Sequence, residues 1–263
     1  MINYSFSMYE FEYFLLILAR VASFVFVAPF FSMNNTPRRV KTAFSFFFAI
    51  LIYETTMPHE AIEYRTVLEY ALIVAHEVFT GLIIGLAVNI CTHIVTFAGR
   101  MIDMEIGLAM ASEYDPLTKE SVSISGMLYQ YMVLLILVVS NMHQYLIKAF
   151  VETYTLIPVN GAVFHSDRML SAIISFMSDY INIGFRICLP VFCVLLITNV
   201  ILGIMAKVAP QMNMFAVGIQ IKIFVGYAVL VVTVMLIPRA AALIGDEVKL
   251  MLRMVVKGMY GTG

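Results

Sequence analysis

His76 and Glu77 open a run, HEVFT, that begins like the zinc-hydrolase motif H-E-x-x-H. In that motif two histidines one helical turn apart hold the metal and the glutamate acts as general base. Thr80 stands where the second histidine belongs, so the ligand set is incomplete. The chain carries no G-x-x-x-x-G-K phosphate loop and no G-x-S-x-G nucleophile elbow. Its three cysteines, Cys91, Cys188 and Cys193, lie inside apolar stretches with no C-x-x-C spacing. They read as small buried hydrophobes, not as a disulfide framework or zinc ribbon. The sequence therefore predicts no catalytic residue, no cofactor and no metal. Glu77 needs another explanation, and it lies in what surrounds it.

Of 263 residues, 62% are hydrophobic and only 13% charged, with a mean hydropathy of +0.93. A soluble domain is about 45–50% apolar and about 25% charged. A soluble fold of this length has no way to hide so much apolar surface. The composition predicts a single-domain, all-α integral membrane protein spanning 1–263. A formal net charge of -1 gives no electrostatic case for nucleic acid. The first nineteen residues contain no Lys or Arg, so the first hydrophobic stretch is expected to be retained and not cleaved as a signal.

A helical crossing needs about 20 mostly apolar residues. Candidate stretches are Phe14–Phe31, a shorter Ala43–Tyr53, Ala71–Ala98, Met127–Ile147, Ile187–Ala206 and Phe215–Ile237. Between Ser166 and Arg186, Met169, Leu170, Ile173, Ile174, Met177, Ile181 and Phe185 recur at helical spacing, opposite Ser171, Ser175, Ser178, Asp179 and Asn182. This is an amphipathic helix with a wet or protein-facing side, N-capped by Ser166 or Asp167 and able to run on past Gly184 and Pro190. Counting it as its own crossing gives seven. Ten Lys and Arg then fall on the C-terminal side and four on the other. The positive-inside tendency would place the C-terminus in the cytoplasm and the N-terminus outside.

Three sets of polar residues interrupt the apolar stretches. Glu77, Gly81, Gly85, Asn89 and His93 fall four residues apart, a stripe that drifts about 40° around the helix at each step. Gly81-x-x-x-Gly85 permits close backbone approach. A lipid-facing Glu or His is costly, so the stripe is expected to face protein, as a subunit interface, or a water-filled pore. Next, GLAMASEYDPLTKESVSISG (107–126) reads as a long loop, broken by Asp115-Pro116 and rich in Ser and Thr. Met104 and Met110 flank its start, where flexible thioethers fill core space or seal around a moving chain. Last, MAKVAPQMNMFAVG (205–218) holds Lys207 at a helix end, Pro210 as a breaker and Asn213 as a cap for the next helix. Gln220 and Lys222 follow inside an apolar run and need water or partners.

This last segment, LGIMAKVAPQMNMFAVGIQIKI, resembles the FliR/SctT family of type III secretion export-gate proteins. The family pattern is a basic residue, Ala-Pro-Gln-hydrophobic-Asn, then a phenylalanine and a lysine. Lys207, Ala209, Pro210, Gln211, Asn213, Phe215 and Lys222 match it, and Gly218 is of the flagellar type. Arg20 with Pro29 is similar to the N-terminal pattern, and Glu77, Gly81 and Gly85 to an E-x-x-x-G-x-x-x-G element. Gly99, Asp103, Gly107, Ala111, Tyr114, Asp115 and Pro116 are similar to the segment that enters the central loop. Asn141 and His143 resemble an Asn/Asp-Gly-His element in which Met142 replaces the glycine.

The resemblance implies long kinked helices and helical hairpins packed in a right-handed helical hetero-oligomer. One copy of this chain would join several copies of FliP and FliQ, with FlhB docking on the cytoplasmic side. The site would be the inner (cytoplasmic) membrane, at the flagellar basal body. The function implied is gated, passive conduction of unfolded flagellar subunits. The long loop would be the plug, carried by Gly107, Ala111, Ser112, Glu113, Tyr114, Asp115, Pro116, Thr118 and Lys119. The physics of the sequence alone leaves one rival, a polytopic secondary transporter with helices broken at Pro190 and Pro210.

Overall fold

Amphipathic and wholly apolar periods settle this chain as helix almost throughout. A computed structural model describes residues 8–32, 36–56, 64–108, 114–115, 120–121, 123–211 and 213–260. The helices are α1 (Met8–Val27), α2 (Arg38–Thr55), α3 (Val67–Ile106), α4 (Ile124–Val139), α5 (Met142–Leu156), α6 (Ser166–Val208), α7 (Met214–Thr233) and α8 (Ile237–Met259). A 3-10 turn, Val234–Leu236, joins α7 to α8. Among the described residues the protein is all-α apart from one two-residue antiparallel ladder, β1 (Tyr114–Asp115) with β2 (Glu120–Ser121). The 107–126 loop thus has a short hairpin of its own, which the sequence reading did not expect.

The chain divides into two compact units: Met1–Ile90, Asn141–Phe176 and Val248–Gly263 in the first, Cys91–Ser140 and Met177–Glu247 in the second. Three of the four boundaries fall inside α3, α6 and α8, and the fourth lies in the short turn between α4 and α5. In the first unit, aromatic rings from α1, α2 and α5 fill the core. Phe24 stacks on Phe150 with centroids 4.1 Å apart, and Phe48 tilts against Phe150 at 6.0 Å. The extended segment before α6 straps the end of α8: the N–H groups of Val163 and His165 donate to the carbonyls of Met259 and Gly258, each at 3.0 Å. Those carbonyls are among the groups that a helix C-terminus leaves unpaired. In the second unit, Ile94, Ile102, Val133, Val191, Leu195 and Ile244 are buried together with Tyr129, whose hydroxyl meets that of Thr233 at 2.8 Å.

Among the described residues, three helical stretches are long and apolar enough to cross a membrane: Val67–Ile106, Ser166–Val208 and Ala216–Met259. At 1.5 Å per residue they run to about 60–66 Å, roughly twice the hydrocarbon thickness of a bilayer. Two expectations change here. Met127–Ile147 is not one straight span, because the helix bends at a break between α4 and α5. The bend is made by Asn141, whose φ of 58° lies in the left-handed region that asparagine tolerates. Since Asn141 itself supplies the positive φ, Met142 fits where the family pattern has glycine, and it is buried as the first residue of α5.

The amphipathic stretch after Ser166 and the apolar one after Ile187 are a single helix, α6, 43 residues long. No turn separates them, so the amphipathic part is not a separate crossing, and the orientation drawn from seven crossings loses its footing. Helix α6 starts at Ser166, one residue earlier than a cap at that position requires. It also continues through Pro190, which removes one of the two breaks that the transporter reading uses.

Candidate functional site

Arg20 on α1 and Glu77 on α3 are fully buried, 0% exposed, and hold one another. The guanidinium meets the carboxylate through two nitrogens: Nε donates to Oε2, and Nη2 to Oε1 at 2.9 Å. Arg20 also donates to the carbonyls of Ile157 (2.8 Å) and Pro158 (3.3 Å). Glu77 accepts from the Asn160 N–H at 2.8 Å. The guanidinium lies over the Tyr154 ring, 4.5 Å from its centroid. A planar, five-donor fork suits this bidentate geometry as no ammonium would. Burial of two ions is offset only where pairing and hydrogen bonding are as complete as this.

The rest of the polar stripe follows the same seam. A methyl on Gly81 would overlap the Arg20 carbonyl and the Ser23 hydroxyl, and one on Gly85 would press on the Phe24 carbonyl at 3.1 Å. Asn89 Nδ2 donates to the Val27 carbonyl at 2.7 Å. Glu77, Gly81, Gly85 and Asn89 therefore seat α1 within the chain, and for these four the expectation of a subunit interface or pore lining is replaced by an internal seam. Arg20 was visible in the sequence as a cation in an apolar stretch. Its partner lies 57 residues away, and only the fold brings the two together. His93 departs from the other four: it is exposed, and its carbonyl accepts from the Tyr180 hydroxyl at 3.4 Å.

The long loop is anchored at both ends by one carboxylate. Asp103, in the last turn of α3, accepts from the Ser123 hydroxyl at 2.7 Å and from the Ser125 N–H at 3.2 Å. Ser123 in turn caps α4, accepting from the Gly126 N–H at 2.9 Å. The two helices touch backbone to backbone, because a methyl on Gly99 would overlap Gly126. Gly107, at φ +92°, leaves α3 in a conformation that only glycine adopts cheaply. Of the remaining plug candidates, Tyr114 and Asp115 form β1. Ala111, Ser112, Glu113, Pro116, Thr118 and Lys119 lie outside the described residues, as does Met110. Met104 is exposed and does not fill the core. The sequence reading missed Ser123 and Ser125; a Ser-x-Ser ahead of an apolar run is the signal that marks them.

The conspicuous turn between α6 and α7 is built as its residues require. Lys207 sits in the last turn of α6, Pro210 and Gln211 form the turn, and the Asn213 side chain caps α7 by accepting from the Ala216 N–H at 3.4 Å. Phe215 lies in the first turn of α7. Lys207, Pro210, Gln211, Asn213 and Gln220 are exposed and Lys222 is half-buried. Among the described residues, Lys207, Gln211, Gln220 and Lys222 have no intrachain hydrogen bond or ion pair. Gln220 continues into an apolar groove formed by Ile223, Phe224, Tyr227, Ala228 and Val231 on α7. Phe224 is 79% exposed and Val231 73%. Cys91 and Cys188 are buried as expected, but Cys193 lies on the exposed side of α6. Among the described residues no cluster of His, Cys, Asp or Glu has the geometry to hold a metal.

The chain is similar to known proteins over most of its length. Residues 11–246 match the model of the family described as bacterial export proteins, family 1. The flagellar biosynthetic protein FliR of Bacillus subtilis is 29% identical over 224 residues, covering 84% of this chain and 86% of that protein. FliR of Escherichia coli is 25% identical over 214 residues (81% and 80%), and FliR of Aquifex aeolicus 25% over 221 (83% of each). The match takes in the Arg20–Glu77 seam, the Asp103 anchor and the α6–α7 turn together, and on that extent the chain belongs to the bacterial export proteins, family 1, among the FliR proteins.

Proposed function

We propose that this chain is a core subunit of the flagellar type III protein export gate. A single copy assembles with FliP and FliQ into the gated channel that conducts unfolded flagellar subunits across the inner membrane. FlhB docks on its cytoplasmic side. The match to an export-protein family over residues 11–246 carries this reading. The second unit adds physical support. Gln220 and Lys222 sit in an apolar helix with no intrachain partner among the described residues, and polar groups of that kind need protein or water around them rather than lipid tails. The chain's part is positional, not chemical: it supplies wall and plug, and the energy comes from elsewhere.

Co-expression with tagged FliP and FliQ tests the assembly. This chain should co-purify with both in mild detergent, in substoichiometric amount. Migration as a lone monomer or homo-oligomer in their presence would favour a transporter. The plug assignment has its own test. Deleting residues 112–121, which spares the Ser123 cap, should make membranes carrying the assembled complex leak small ions. Unchanged permeability in an intact complex refutes the plug.

A further inference from the structure

We infer that a cavity within the second unit is a binding site for an anionic phospholipid. The cavity, about 150 Å³, lies among α3, α4, α6 and α8 and is floored by Val95, Val133, Ile187 and Leu243. Arg186 and Arg239 also line it, and no acidic residue does. Among the described residues neither arginine forms an ion pair within the chain. Both arginines are exposed, and both belong to helices long and apolar enough to cross a membrane.

The floor asks for an apolar guest. Its polar atoms are already committed: the Tyr129 and Thr233 hydroxyls pair with each other, and Thr233 Oγ1 also donates to the Leu230 carbonyl at 2.9 Å. Neither hydroxyl is left over for a guest, and an apolar cavity of about 150 Å³ accepts a benzene-sized hydrocarbon. The rim asks for an anion. Two guanidinium groups without a carboxylate are a fork-shaped phosphate receptor. Pro190 also lines the cavity. It has no N–H to return to the Arg186 carbonyl one turn earlier, so α6 carries a gap in its ladder beside Arg186. A freed carbonyl next to a guanidinium offers an acceptor for a headgroup hydroxyl as well as donors for the phosphate. Basic pockets between membrane helices bind anionic headgroups by this combination. An acyl segment in the cavity with its phosphate on Arg186 and Arg239 satisfies floor and rim at once. Inorganic phosphate satisfies only the rim, and a neutral lipid only the floor.

The test uses the full chain, purified with whatever subunits accompany it, stripped of lipid in mild detergent. Retention of added dioleoylphosphatidylglycerol, dioleoylphosphatidylcholine or sodium phosphate is measured by native mass spectrometry. Phosphatidylglycerol should be retained roughly tenfold better than phosphatidylcholine, and phosphate should not displace it. Arg186→Gln with Arg239→Gln should abolish that preference while leaving the complex intact. Ala240→Phe, which fills the cavity and keeps both charges, should remove retention of either lipid. Equal retention of the two lipids by the parent chain overturns the proposal, as does an unchanged preference in the double variant or displacement by phosphate alone. If the assembled complex excludes the lipid and a partner's carboxylate crosslinks to this rim, the arginines serve a protein contact and the lipid site is refuted.

Discussion

Two regions carry polar residues in apolar helices, and they resolve them in opposite ways. In the first unit, Arg20, Glu77 and Asn89 find every partner within the chain, across a seam that Gly81 and Gly85 make narrow. In the second, Gln220 and Lys222 stand on an α7 whose Phe224 and Val231 are uncovered. The same signal in the sequence, a charge or amide amid apolar residues, thus marks a finished contact in one place and an unfinished surface in the other. What separates them is whether the opposite group lies elsewhere in the chain. Glu77 has Arg20, while α6 and α7 bring no carboxylate to Lys222.

The comparison breaks most visibly at Glu77. Glu77→Ala leaves a buried guanidinium unpaired, at a cost of about 3–5 kcal/mol. The chain should fail to accumulate even when expressed alone, as followed by fluorescence-detected size exclusion. Replacing both partners, Arg20→Met with Glu77→Met, should recover much of that loss, because well-packed apolar substitutes for an ion pair are often neutral. No recovery would mean that the pair does more than satisfy itself.

Gly81→Leu comes next. Forcing a side chain into the Arg20 carbonyl should cost about 1–3 kcal/mol or more and destabilise the isolated chain, read as a lower melting temperature in detergent. A normal isolated chain that only fails to join its partners would return the stripe to an inter-subunit role. Asp103→Ala removes the anchor of α4 and should cost about 1–2 kcal/mol, seen as earlier proteolysis within 107–126. The smallest effect on the chain itself is expected from Gln220→Leu with Lys222→Met, within about 0.5 kcal/mol. Its consequence should appear instead as lost co-purification with FliP and FliQ. A chain destabilised as strongly as by Glu77→Ala would show that α7 was already complete.

The helices were legible because apolar periodicity over long runs has few alternatives, and the Asn213 cap and the Lys207 helix end follow from residue type alone. The Arg20–Glu77 pair was half legible: both members are conspicuous, but the loop reversals that bring α1 against α3 leave no local trace. The number of crossings was misread because hydropathy shows where apolar residues lie and says nothing about whether a helix stops between them. Helix α6 does not stop, at Gly184 or at Pro190, and at Pro190 one missing N–H is outweighed by the packing of Cys188, Val191 and Leu195. The Asp103 anchor escaped notice because its partners are two serines in a loop where serines are ordinary.

The order of the segments within the first unit bears on how the protein is made. That unit takes its first ninety residues from the start of the chain and its closing segment from Val248 onward, where the end of α8 receives the strap of Val163 and His165. During synthesis Arg20 and Glu77 emerge early, but Ile157, Pro158 and Asn160, which complete their hydrogen bonds, appear some eighty residues later, and the α8 strap later still. The nascent helices must therefore wait in the membrane with a charged pair only partly clothed. Removing the segment from Val248 onward should be felt in a portion of the chain made well before it.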